Sequence, residues 1–125
     1  MLWEINSNQP IYLQIMERIQ SLIISGYYKP GDRLPSIRDF AATASINPNT
    51  MQKALNELEK IDLIYTNKTN GKFITEDTNV IQNLKNQISI QYIRDFIEKM
   101  MDIGLNEKDI IKNINQYIQN NLNNE

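Results

Sequence analysis

The sequence contains no cysteine and no histidine. Disulfides, thiolate or imidazole metal sites and any nucleophile–histidine pair are therefore excluded, and most hydrolytic mechanisms go with them. Carboxylates remain as acid–base groups, but Glu57 and Glu59 stand two apart on a helical pattern and point to different faces. No catalytic constellation is left, so the chain is not read as an enzyme, and neither a cofactor nor a metal is expected. Long hydrophobic runs are missing as well. No segment approaches the roughly 18 uninterrupted apolar residues of a membrane span, and Met1-Leu2-Trp3-Glu4 lacks the basic start of a signal peptide. The expected location is the cytoplasm, with no membrane partner.

A positive balance is also lacking, since 13 Lys and Arg against 15 Asp and Glu give a net charge of −2. Nucleic-acid-binding domains are often basic, yet from Pro10 to Thr75 eight basic residues face six acidic ones, or +2. The acids at 57, 59 and 62 fall late in a candidate recognition helix, away from its start. A positive face joining Arg38, Lys53 and the following hairpin is expected.

What is present is a sequence of helix and turn signals. A first helix starts near Pro10, preset for the first helical position, carries Ile11, Ile15, Ile19, Leu22 and Ile23 as one stripe, and ends at Gly26. The loop Tyr27-Tyr28-Lys29-Pro30-Gly31-Asp32 holds a Pro-Gly turn, its aromatics packing the loop on the core, and Leu34-Pro35 reads as extended. Ser36 caps a second helix over roughly 37 to 44, with Asp39 placed to complete a variant capping box. Ser45-Ile46-Asn47 is a tight turn that buries Ile46, and Asn47 and Pro48 open a third helix. Met51, Ala54, Leu55 and Leu58 form its inner face, and Asn49, Gln52, Lys53 and Asn56 face outward.

After Asp62 the period changes. Leu63-Ile64-Tyr65-Thr66 and Lys72-Phe73-Ile74-Thr75 are β-prone runs around Asn67-Lys68-Thr69-Asn70-Gly71, a hairpin whose Gly71 takes positive φ. The pattern is a winged helix-turn-helix, which turns the start of its recognition helix to the DNA major groove. Short polar or cationic groups are needed there, and Asn49, Thr50, Gln52 and Lys53 fit, with Gln suited to adenine and Lys to phosphate or guanine.

Glu76-Asp77-Thr78-Asn79 is a polar break, dividing the chain into a winged domain at 1–76 and a C-terminal region at 77–125. Beyond it Ile81, Leu84, Ile88, Tyr92, Phe96 and Met100 outline a helix of about 20 residues stopping at Gly104. Asn106 with Asp109 caps a second helix bearing Ile110, Ile111, Ile114, Tyr117, Ile118 and Leu122. Two amphipathic helices build no core alone, so their apolar faces, aromatics included, call for the winged domain or a second copy. The expected fold class is α+β and mostly helical: a winged helix-turn-helix domain followed by a short two-helix dimerisation tail.

The run from Pro10 to Ile74 resembles the N-terminal domain of GntR-type bacterial transcription regulators, and the two-helix tail looks like that of the YtrA subfamily. The most restrictive parts are Lys29-Pro30-Gly31-Asp32-Arg33-Leu34-Pro35-Ser36-Ile37-Arg38 and Asn47-Pro48-Asn49-Thr50-Met51-Gln52-Lys53-Ala54-Leu55. The resemblance implies DNA contact by Arg38, Asn49, Thr50 and Gln52, with Gly71 at the wing tip. Arg33 and Lys53 join this candidate set. Family wings commonly carry Arg and Gly ahead of this glycine, whereas Asn67-Lys68-Thr69-Asn70 stands here, which leaves Lys68 and Lys72 to contact phosphate. The resemblance further implies a homodimeric repressor on a palindromic operator, controlling a neighbouring transporter operon. It supplies no metabolite-binding domain, and the sequence names no effector, operator or regulated gene. The competing reading is a winged-helix module that binds protein and not DNA, favoured by the acidic net charge.

Overall fold

The computed structural model describes residues 3–122, in two compact units that divide between Lys85 and Asn86. In chain order the elements are α1 (Ile11–Ile24), α2 (Ile37–Ala44), α3 (Pro48–Lys60), β1 (Ile64–Asn67), β2 (Gly71–Ile74), α4 (Thr78–Asp102) and α5 (Glu107–Tyr117), the last followed by a π-helical turn, Ile118–Leu122.

In the first unit α1 begins one residue later than expected. Pro10 has φ −52° and ψ 134° and sits at the cap, outside the helix. Gln14 secures this end instead, accepting from the Asn6 N–H at 2.8 Å and donating to the Asn6 and Gln9 carbonyls at 2.7 and 3.0 Å. Ile15, Ile19, Leu22 and Ile23 are buried, but Ile11 is 45% exposed, because the first helical residue lies beyond the edge of the core.

α2 occupies the expected span. Ser36 Oγ accepts from the Asp39 N–H at 3.1 Å, the serine half of the capping pair. Ser45 closes the helix in the left-handed region at φ 56°, where the Ile46 N–H reaches back to the Ala41 carbonyl at 3.0 Å. That reversal is the turn of the helix-turn-helix. Asn47 Oδ1 then accepts from the Asn49 N–H at 2.7 Å, Pro48 takes the first position of α3, and Met51, Ala54, Leu55 and Leu58 fill the centre of the core. Trp3 and Tyr28 close over Phe40 edge-on, with ring centroids 5.4 and 6.3 Å from it. Burial pushes the Tyr28 hydroxyl's pKa up, and neighbouring Tyr27 adds to the shift.

β1 and β2 form an antiparallel hairpin, pairing Ile64 with Ile74, Tyr65 with Phe73, Thr66 with Lys72 and Asn67 with Gly71. A third lane comes from residues 31–34: the Gly31 N–H donates to Ile74, the Ile74 N–H to Asp32 and the Leu34 N–H to Lys72, at 3.0, 2.8 and 2.9 Å. The extended Leu34-Pro35 segment is thereby sewn to the hairpin, and Leu34 is buried beneath it. Val80, Ile81 and Leu84, at the start of α4, pack on the same core, so this unit continues past the polar stretch at 76–79.

Helix α4 is 25 residues long, enters the second unit at Asn86 and stops two residues before Gly104, whose φ of +93° lets the chain reverse. Asn106 and Asp109 form a reciprocal capping box, with bonds of 2.9 and 3.3 Å, that starts α5. Ile110 is the one buried apolar side chain among the described residues of this unit.

Candidate nucleic-acid interface

Helix α3 is anchored by its buried inner face, which fixes where its outer side chains stand. Asn49, at the second helical position, is exposed, and Thr50 and Gln52 are half-buried on the same first turns. Gln52 Nε2 donates to Asn56 Oδ1 at 2.6 Å, so the amide is held in one orientation. Lys53 is exposed but engaged: its ammonium lies 3.9 Å from the ring centroid of Tyr12 in α1. This cation–π contact draws the side chain toward α1.

Arg38 is exposed at the second position of α2. Arg33, Lys68, Gly71 and Lys72 come together along one groove of about 300 Å³ between the 33–37 segment and the hairpin. The hairpin tip is tightened by Asn67 Oδ1, which accepts from the N–H groups of Thr69 and Asn70 at 2.9 and 3.2 Å. Gly71 follows with φ +103°, as the sequence requires, and a Cβ placed there would meet the Arg33 guanidinium at 3.7–3.8 Å.

Lys72 differs from the other cations of this groove. Its ammonium donates to Glu59 Oε1 at 2.7 Å and to Thr66 Oγ1 at 2.9 Å. Burial raises the pKa of Glu59, but hydrogen bonds from Lys72 and Thr66 and the ammonium's charge outweigh it, leaving the carboxyl below its ordinary value. Glu59 and Tyr12 were not legible as partners: each meets its lysine through packing between separate elements, which no local pattern encodes. Thr66 opposite Lys72 follows from the hairpin register. Among the described residues no group of His, Cys, Asp and Glu could hold a metal ion, and no helix is long and apolar enough to cross a membrane.

Comparison with known proteins places this geometry. The model of the gntR family of bacterial regulatory proteins matches residues 11–74. The HTH-type transcriptional regulator YhcF of Bacillus subtilis is 30% identical over 116 residues, which cover 93% of this chain and 96% of YhcF. The HTH-type transcriptional repressor YtrA of the same organism is 44% identical over 71 residues, 57% of this chain and 55% of YtrA. Among solved structures, a GntR family transcriptional regulator from Listeria monocytogenes superimposes with a TM-score of 0.85 at 38% identity, covering 90% of this chain and 98% of its own. The DNA-binding domain of AraR, solved in complex with operator ORE1, superimposes with a TM-score of 0.52 at 25% identity over 58% of this chain and 92% of that domain.

Proposed function

Since the chain belongs to the gntR family of bacterial regulatory proteins, we propose that it is a cytoplasmic, sequence-specific repressor that binds a palindromic operator as a homodimer and controls a transporter operon. The observation that carries this reading is the start of α3. Asn47 and Pro48 are consumed in capping, and Asn49, Thr50 and Gln52 follow on a helix whose opposite face is locked in the core. Rigid presentation of short polar side chains is what major-groove readout needs. Arg38, Arg33 and Lys68 supply the phosphate-facing charge. The dimer is supported by the second unit, where Ile90, Ile93, Met101 and Ile111 stand open to water and a two-fold copy is the commonest cover. Control of a transporter rests on the YtrA likeness alone.

A DNase footprint over the protein's own promoter tests this reading, the expected result being two protected half-sites related by a dyad. The net charge of −2 favours the alternative of a protein-binding module. Salt titration separates the two, because phosphate neutralisation makes affinity fall log-linearly with salt. A flat response on added duplex would favour the alternative.

A further inference from the structure

Three elements converge on one carboxylate oxygen at the base of the wing tip. Glu59 comes from the last turns of α3, Thr66 from β1 and Lys72 from β2. Lys72 Nζ lies 2.7 Å from Glu59 Oε1 and 2.9 Å from Thr66 Oγ1, and the Thr66 hydroxyl donates to the same Glu59 oxygen. Thr66 and Lys72 are a cross-strand pair two steps out from the buried pair Ile64 and Ile74, with Tyr65 stacked on Phe73 between them. The Lys72 side chain is 12% exposed, far less than the 69% of Lys60 in its ordinary surface pair with Glu57. To reach a phosphate, Lys72 would have to leave Glu59 and Thr66, giving up both hydrogen bonds and the opposite charge beside its ammonium.

We propose that Glu59, Thr66 and Lys72 form a latch that fixes the hairpin against α3, making Lys72 and Glu59 positioning residues for operator binding and Lys72 no phosphate contact. The wing's contacting cations are then Arg33 and Lys68, which line the same groove. This rests on the DNA-binding reading, and its test carries an arm that needs no DNA.

The full chain, Glu59→Gln, Lys72→Met and the double variant are compared in two measurements. In the first, hydrogen exchange of the hairpin amides at residues 67–72 should speed up in both single variants. In the second, affinity for a duplex of the chain's own promoter and for a random duplex of equal length is followed against potassium chloride. Glu59→Gln removes a negative charge close to an anionic ligand, so simple electrostatics would tighten binding. The latch demands the opposite: a loss of about 5- to 10-fold on the promoter duplex, with an unchanged salt slope and a double variant no worse than Lys72→Met, as expected for partners acting as a unit. Promoter binding by Glu59→Gln tighter than wild type, or a salt slope lowered by about 0.9 in Lys72→Met as for one lost phosphate contact, overturns the assignment of the two as positioning residues. Unchanged exchange overturns the latch itself. Faster exchange with unchanged affinity overturns its role in operator binding. If the wild-type chain binds neither duplex, the DNA-binding reading fails, and the exchange arm still decides whether the latch exists.

Discussion

Up to Lys85 the chain surrounds Met51, Ala54, Leu55, Leu58, Leu63 and Ile74 so fully that none keeps appreciable surface, whereas from Asn86 onward Ile110 is the one apolar side chain buried among the described residues. Both regions have side-chain-capped helices, at Ser36 and Asn47 in the first and at Asn106 in the second. They differ in what the helices are for. In the first, three helices and a small sheet close on themselves, and the start of α3 inherits the rigidity of that core. In the second, α4 and α5 carry Ile90, Tyr92, Ile93, Phe96, Met101, Ile111 and Tyr117 in the open. An apolar cleft of about 360 Å³ lies among Phe96, Met100, Ile114, Tyr117 and Ile118. Local helix signals of the same kind thus build a self-sufficient unit in one place and leave apolar side chains open in the other.

Matched truncations sharpen that contrast most. Leu55→Ala should cost about 2–5 kcal/mol of unfolding free energy, because the site is closed on all sides and a cavity remains. Ile93→Ala should cost under about 0.5 kcal/mol at high dilution and, on the proposed dimer, more as concentration rises. Urea denaturation at two protein concentrations measures both. Equal, concentration-independent losses would erase the distinction.

Separating the units comes next. A chain ending at Lys85 retains Val80, Ile81 and Leu84 on the core. It should stay folded, run as a monomer in light scattering and lose about 10²-fold in operator affinity, the gain that linkage supplies. A chain ending at Asp77 lacks those three side chains and should melt at lower temperature than the one ending at Lys85. Undiminished operator binding by the shorter forms would give the second unit another role.

Within the first unit, the wing can be set against the core. Gly71→Val forces a β-branched residue to positive φ and places its Cβ against Arg33. A stability loss of about 1–2 kcal/mol is expected, with operator affinity falling in parallel, both read from a thermal melt and a binding titration. Loss of stability with intact affinity would detach the wing from DNA binding.

Much of this was legible locally. The span of α2, the caps at Ser36, Asn47 and Asn106, the inner face of α3 and the positive φ of Gly71 each follow from neighbours within four residues, where capping and turn chemistry operate. What escaped depends on packing across the chain. The third lane at residues 31–34 needs β2 to exist first, Ile11 is exposed because the core ends before it, and Lys53 and Lys72 look like free cations until Tyr12 and Glu59 are brought to them. A periodic pattern likewise shows that α4 has an apolar face, but not that its first turns belong to the preceding core.

The smallest expected effect concerns acid. Glu59 has its carboxyl pKa lowered from the ordinary 4.5 in the folded state. A carboxyl of this kind binds protons more readily unfolded than folded, so it adds stability that is fully present above the unfolded value and is lost as pH falls through the folded one. Wild type should therefore exceed Glu59→Gln in urea midpoint at pH 7, and the gap should close as pH falls below the ordinary 4.5 and through the lowered folded value. Since the pair lies near the tip of a four-residue-strand hairpin and not at the centre of the core, the change should be modest beside that of Leu55→Ala. A gap that does not narrow at all with falling pH would mean that the substituted amide is disfavoured for its shape, and that the charge on Glu59 contributes little to holding the wing.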